Sequence, residues 1–195
     1  IRRQRQMCIR DSSYNIMSFG NMKKENGQNP ILNYIKNSNA DIVCMQEYAG
    51  SETAKIHLSN KEIRQALKDY PYHNIMQVGK TGAGSQLACY SKFPILSARM
   101  LDYRSNYNGR MVYEIKIGKD TVLLINNHLE SNKLTREDKV VYEDMLKDPK
   151  AGKVKSGVRQ LVNKLAEASA IRSAQARTIA QEIAHSPYPL SLIHI

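Results

Sequence analysis

Two polar residues stand just beyond apolar, strand-like segments of the sequence. Glu47 follows the run Ala40 to Met45, and His128 follows the run Thr121 to Asn127. A carboxylate at a strand end suits Mg²⁺, because this ion needs one or two carboxylates beside water and phosphate oxygens. A histidine next to such an ion can donate a hydrogen bond to a phosphoryl group or protonate a leaving oxygen. The alternative interpretation is a solvated strand end and a structural histidine.

The composition predicts one domain with a basic surface. Of 195 residues, 42% are hydrophobic, and 29 Lys and Arg outnumber 18 Asp and Glu to give a net charge of +11. This charge favours an anionic partner such as a phosphodiester or nucleic acid, although a basic surface that serves solubility explains it equally well. No apolar stretch reaches the roughly 18 to 20 residues of a membrane span. We expect a soluble chain, cytoplasmic by default, with membrane anchoring through a preceding segment as the alternative.

Both ends of the sequence differ in character from the rest. Ile1 to Ser12 has neither the apolar core of a signal peptide nor an amphipathic period, and Pro189 to Ile195 is a short, mostly apolar run. Both resemble translated sequencing-adapter sequence, whereas an ordinary basic arm and a short C-terminal strand are the alternative. We therefore expect a partial domain over 13–188, with non-native segments at 1–12 and 189–195.

Apolar periodicity and turn residues predict an alternation of strands and helices, then antiparallel strands and a long helix. Asn29-Pro30 is a helix start signal, and Cys44 and Cys89 are expected in the core because they lie inside strand-like runs. The predicted strands are Tyr14–Phe19, Ala40–Met45, Tyr72–Val78, Gln86–Tyr90, Ile95–Leu101, Met111–Ile117 and Thr121–Asn127, and the predicted helices begin at Pro30, Lys61 and Lys153. We expect an α/β layered domain with a mixed or largely antiparallel sheet, in which the last four strands form a meander.

Four segments occur in an order that resembles a known family. The runs NIMSFGN, ADIVCMQE, GSQLACYSKFPI and LLINNHLE are similar to successive signatures of the endonuclease/exonuclease/phosphatase family. The resemblance implies a two-sheet α/β sandwich of the deoxyribonuclease-like type, with mixed or largely antiparallel sheets flanked by helices, here incomplete. It also implies metal-dependent hydrolysis of phosphate esters, with nucleic acids, lipid headgroups and sugar phosphates among the family's substrates.

The resemblance also assigns roles to single residues. It makes Glu47 the metal-binding carboxylate and His128 the active-site histidine that contacts the scissile phosphate. The family places an asparagine after the first strand; the direct register puts Gly20 in that position, so Asn21, one residue later, is the expected further metal ligand. The implied cofactor is Mg²⁺, with Mn²⁺ as an alternative, and the implied partner is a phosphate ester such as a nucleic acid.

Two further motifs of the family do not occur in the sequence. These are a D-x-N pair, which positions the attacking water, and a terminal Asp-His pair, which polarises it. We therefore expect an inactive, C-terminally truncated fragment of a phosphoesterase. The competing hypothesis is a non-catalytic basic domain that binds nucleic acid on the same scaffold.

Overall fold

The computed structural model describes residues 9–20, 28–50, 58–79, 85–101, 105, 107–132, 134–147 and 152–193. The chain forms two compact units: the first comprises Ile1–His128 and Ser186–Ile195, and the second comprises Leu129–His185. In the first unit, the strands are β1 (Asp11–Asn15), β2 (Ile42–Tyr48), β3 (Tyr72–Gln77), β4 (Gln86–Ser91), β5 (Ile95–Met100), β6 (Gly109–Ile117), β7 (Asp120–His128) and β8 (Leu190–Ile193), and the helices are α1 (Pro30–Asn37) and α2 (Asn60–Ala66). The second unit contains α3 (Arg136–Lys147) and α4 (Gly152–Ala184).

The strands of the first unit form two four-stranded sheets. The first sheet has the order β1-β2-β4-β3 and the second has the order β5-β6-β7-β8. β1 runs parallel to β2, and β8 runs parallel to β7, whereas the other neighbours are antiparallel. The predicted fold class, with mixed or largely antiparallel sheets flanked by helices, is confirmed.

Burial on both faces explains why β2 is an almost continuous apolar run. Ile42 and Cys44 pack between the two sheets, in a cluster with residues of β4, β6 and β7. Val43 and Met45 face the other way, into a second cluster that includes Leu32 of α1 and residues of α2. The alternation of side chains along a strand thus places one half of β2 in each core.

Local signals determine where α1 and α2 begin. Asn29 caps α1, because its side-chain oxygen accepts hydrogen bonds from the backbone N–H groups of Ile31 and Leu32, and Pro30 occupies the first turn. Ser59 and Glu62 form a reciprocal capping box at the start of α2. The helix start predicted at Pro30 is confirmed.

Several sequence predictions about the strands are wrong. β1 lies at Asp11–Asn15 and not at Tyr14–Phe19, since its register with β2 begins at Asp11 and the backbone turns away after Asn15. Leu190–Ile193 forms β8, which is absent from the predicted strands; that 189–195 is non-native stays a prediction. β4 pairs with β2 and β3, so the meander consists of β5, β6 and β7, and the chain changes sheets near Pro94.

The second unit is a helical pair, of which only α4 was predicted. At the start of α3, the Asp138 carboxylate accepts a hydrogen bond from the Thr135 N–H at 2.7 Å. Lys164 of α4 donates to both oxygens of this carboxylate, at 2.9 and 2.7 Å, and these hydrogen bonds lower the pKa of Asp138. In the described part of the chain, neither α4 nor any other helix combines the length and apolar character that crossing a membrane demands.

Cys44 and Cys89 are expected to resist thiol reagents in the native protein. They lie directly opposite one another in β2 and β4, and both are buried. The hydrogen bond with Cys89 and burial raise the pKa of the Cys44 thiol well above its usual range, so little reactive thiolate forms. In a Cys8→Ser background, labelling by a chromogenic disulfide reagent should follow global unfolding measured by circular dichroism. Rapid labelling of both thiols without denaturant would contradict this expectation.

Candidate functional site

Three strand ends meet at one edge of the first unit. β1 and β2 are parallel, so both end at the same edge, and Asn15 lies in register with Gln46. The Nδ2 atom of Asn15 donates to Oε1 of Glu47 at 2.9 Å. The Nε2 atom of His128, at the end of β7, lies 3.4 Å from the same oxygen. Asn15 and His128 thus both contact Glu47, and these three residues are hereafter called the strand-end cluster.

An irregularity in β2 directs the Glu47 side chain into this cluster. Glu47 has a φ of +51°, and the register between β2 and β4 shifts between Met45 and Tyr48. Such a bulge re-aims a side chain, and the left-handed backbone conformation is unfavourable for a residue with a Cβ atom. The Glu47 side chain is 38% exposed, whereas Gln46 and Tyr48 on either side are buried. The backbone strain is therefore located at Glu47, the predicted metal-binding carboxylate.

Asn15 is held by the turn that follows β1. Its Oδ1 atom accepts from the backbone N–H of Met17 at 3.1 Å. Met17, Ser18 and Phe19 have φ values of +43°, +57° and +63°, which end the strand abruptly. Phe19 is fully buried and packs edge-to-face against Tyr48, with ring centroids 5.4 Å apart. Packing of the buried Phe19 ring thus stabilises a left-handed turn that Met, Ser and Phe do not favour.

Ser85 contacts the other side of the His128 ring. Its hydroxyl oxygen lies 3.5 Å from Nδ1 of His128 and donates to the backbone oxygen of Tyr107 at 3.0 Å. The Ser85 hydroxyl thus contacts Nδ1 of His128, the ring nitrogen on the far side from Glu47. This arrangement orients the ring so that Nε2 faces Glu47.

A buried polar network lies between the two sheets, next to the strand-end cluster. Gln46 donates to Asn126 at 2.7 Å and to Ser13 at 3.0 Å, and Asn126 is fully buried. The Nδ2 atom of Asn126 in turn donates to the backbone oxygen of Ala88 at 3.2 Å. Asn126 belongs to the second sheet, whereas Gln46, Ser13 and Ala88 belong to the first. The network therefore joins the two sheets directly beside Glu47 and His128.

Comparison with known proteins identifies the family. A model described as the endonuclease/exonuclease/phosphatase family matches residues 12–188. The chain belongs to this family. A comparison with curated proteins found no match.

Solved structures with this endonuclease/exonuclease/phosphatase fold include two of TDP2 from D. rerio. The first, humanized by 14 mutations, has a TM-score of 0.53 and 13% identity, over 94% of this chain and 59% of that chain. The second, complexed with a single-strand DNA product, has a TM-score of 0.51 and 11% identity, over 94% of this chain and 58% of that chain. At these identities the similarity shows a shared fold. The chain spans less than two thirds of the length of these relatives.

The strand-end cluster contains two of the three site residues that were predicted from the sequence. Glu47 and His128 lie together, while Asn21 lies outside the described residues. Sequence analysis missed Asn15, because it took the segment up to Phe19 as strand and looked for an amide beyond it. A signal was available: Tyr14-Asn15 ends a short alternating run, and a parallel partner of β2 would end beside Glu47.

The donor set of this endonuclease/exonuclease/phosphatase domain suits a hard cation. The nitrogens of Asn15 and His128 both approach Oε1 of Glu47, and no contact of Oε2 with another described residue is seen, which leaves this oxygen for a further ligand. A shared cation would require a half-turn of the Asn15 amide, which brings its oxygen beside the carboxylate and gives up the hydrogen bond that this oxygen accepts from the Met17 N–H. Among the described residues, no group of three or more His, Cys, Asp or Glu side chains could hold a metal ion. Binding here would therefore depend on amide, water and phosphate oxygens as well, in the manner of Mg²⁺.

Proposed function

We propose that this endonuclease/exonuclease/phosphatase domain takes part in the hydrolysis of phosphate esters with Mg²⁺ or Mn²⁺, and that nucleic acid is its substrate class. The observation that carries the proposal is the convergence of Asn15, Glu47 and His128 at the ends of three strands. The net charge of +11 supports an anionic substrate. The complex of D. rerio TDP2 with a single-strand DNA product shows that a protein of this fold accommodates such a strand.

Each member of the strand-end cluster has a distinct part in this proposal. Glu47 would hold the cation through its carboxylate, with Asn15 as an amide ligand; Asn21 remains a prediction for a further ligand. A bound divalent cation supplies positive charge that polarises a phosphoryl oxygen and stabilises negative charge in the transition state. His128, oriented by Ser85, would donate from Nε2 to a phosphoryl or leaving oxygen.

We also propose that the 195-residue chain alone does not hydrolyse phosphate esters. Its sequence has neither the D-x-N nor the Asp-His motif that the family uses to position and polarise water. In this proposal Asn15, Glu47 and His128 bind the cation and the phosphate, and activation of the water depends on the two other motifs. The chain should therefore bind without hydrolysing, whereas a longer chain in which both motifs follow this domain should hydrolyse.

His128→Ala in that longer chain is expected to lower kcat by about 100-fold or more, because a positioned acid or hydrogen-bond donor contributes about that much. The substrates are bis(p-nitrophenyl) phosphate and plasmid DNA, with Mg²⁺ or with a chelator. His185→Ala, at the exposed end of α4, is the matched control and should leave kcat unchanged. A folded longer chain without metal-dependent turnover on any phosphodiester or phosphomonoester would contradict the proposed function.

The competing function is a non-catalytic domain that binds nucleic acid by charge. The observation that favours it is the same charge of +11, which needs no catalytic residue. This function predicts binding of plasmid DNA that is indifferent to chelator and to Glu47→Ala. Binding of plasmid DNA by wild type and by Glu47→Ala, each with Mg²⁺ and with chelator, therefore distinguishes the two functions.

A further inference from the structure

We propose that the groove between α1 and α2 is a second binding site, for the sugar-phosphate backbone of a single-stranded nucleic acid. The groove has a volume of about 510 Å³, and both helices and the residues that flank them line it. Its described lining contains no member of the strand-end cluster. The inference therefore goes beyond the proposed hydrolysis and does not depend on it.

Three lysines give the groove its positive charge. Lys36 lies near the end of α1, Lys61 lies in the first turn of α2, and Lys68 follows α2. All three are exposed, and none forms a salt bridge with another residue of the described chain. An ammonium group without an internal partner is available to a phosphate.

The single carboxylate among the described lining residues is already engaged. Both the backbone N–H and the hydroxyl of Ser59 donate to Oε2 of Glu62, at 3.0 and 2.8 Å. Glu62 is thus held in the capping box of α2. Among the described lining residues, three lysines are therefore set against one acidic group.

The other walls and the floor suit a nucleotide. Asn33 and Gln65 present amide groups, which hydrogen-bond sugar and base edges, and the buried Leu32 and Leu58 provide an apolar floor. A volume of this size is typical of sites for small molecules, so it admits one or two nucleotides of a single strand and not a duplex. Lys61 lies in the first turn of α2 and Lys68 lies beyond its last residue, Ala66, so the two lysines stand near opposite ends of a helix about 10 Å long.

The test is equilibrium binding of a short fluorescein-labelled oligothymidine to the whole chain, measured by anisotropy in the presence of chelator. The variant Lys36→Gln/Lys61→Gln/Lys68→Gln should bind at least about tenfold more weakly, with the slope of log K against log salt reduced by about 2. The control Lys119→Gln/Lys139→Gln/Lys147→Gln removes the same charge from exposed positions elsewhere and should bind within about twofold of wild type. Equal weakening by both triple variants would overturn the proposal, because charge alone would then explain binding.

A single substitution provides a second test that leaves the lysines in place. Gln65→Glu adds a negative charge inside the groove and should weaken binding about three- to tenfold, whereas Gln181→Glu on the exposed face of α4 should not. Equal competition by duplex DNA, or lysine-dependent binding of phosphatidylserine vesicles in place of the oligonucleotide, would also overturn the proposal. Chelator excludes hydrolysis from the assay, so a failure here and a failure of the phosphoesterase function are separate results.

Discussion

Glu47→Gln is expected to weaken Mn²⁺ binding by this chain at least about tenfold, or about 1.4 kcal/mol. The substitution removes the one carboxylate of the strand-end cluster but keeps its size. It also keeps an oxygen that can accept from Asn15, as Oε1 does at 2.9 Å. The loss should therefore come from the missing negative charge and not from unfolding. Mn²⁺ is the probe because its free and bound forms are distinguishable by electron paramagnetic resonance.

Glu143→Gln is the matched control for this measurement, because it removes an exposed carboxylate from α3 without touching the cluster. It should leave the Mn²⁺ affinity unchanged. If both variants bind Mn²⁺ as tightly as wild type, the ion binds elsewhere. Glu47 would then be no more than a solvated residue at a bulge.

Asn126→Leu is expected to lower the free energy of unfolding by about 2–4 kcal/mol, the largest stability effect that we predict. The two side chains have the same branching and the same number of heavy atoms, although leucine is bulkier, and leucine removes the hydrogen bonds that Asn126 makes with the Gln46 amide and the Ala88 carbonyl. An unpaired buried polar group costs more than the hydrogen bond contributed. Urea denaturation followed by circular dichroism measures the change.

Two further variants distinguish the network from simple packing. Asn163→Leu changes an exposed residue of α4 and should alter stability by less than about 0.5 kcal/mol. Gln46→Leu/Asn126→Leu removes both partners of the inter-sheet bond and should recover part of the loss, because fewer polar groups remain unpaired. If Asn126→Leu is as stable as wild type, the two sheets are held by apolar packing alone.

The parts of the fold that were predicted correctly carry their signal in adjacent residues. The double-sided burial of β2 appears as an apolar run, and the start of α1 appears as Asn29-Pro30. The position of Glu47 at the end of that run was therefore predictable. Its bulge was not, because no glycine or asparagine marks the positive φ at Glu47.

The errors lie where tertiary contacts override local preference. Met17, Ser18 and Phe19 adopt left-handed conformations that none of these residue types favours, so the pattern Tyr14–Phe19 looked like a strand. The buried Phe19 ring holds this turn through Tyr48, 29 positions away in the chain. Asn15 was missed for the same reason, since its contact with Glu47 exists only once β1 ends at Asn15.

Long-range partners of the site were invisible to sequence analysis. Ser85 contacts His128 across 43 positions, and Gln46 contacts Asn126 across 80 positions. No spacing rule joins residues that far apart, because the pairing depends on how two sheets stack. The assignment of β4 to the meander failed in the same way, as the chain changes sheets between β4 and β5 without a distinctive motif.

The measurement that most directly tests the central claim is an anomalous difference map from a crystal of this chain soaked in Mn²⁺ and inorganic phosphate. If the strand-end cluster binds metal and phosphate, the map should show a Mn²⁺ peak within about 2.5 Å of a Glu47 carboxylate oxygen. The oxygen of the Asn15 amide should be turned toward this peak, and phosphate should lie beside Nε2 of His128. A well-ordered crystal in which Mn²⁺ occupies other carboxylates and leaves Glu47 bonded only to Asn15 and His128 would contradict it.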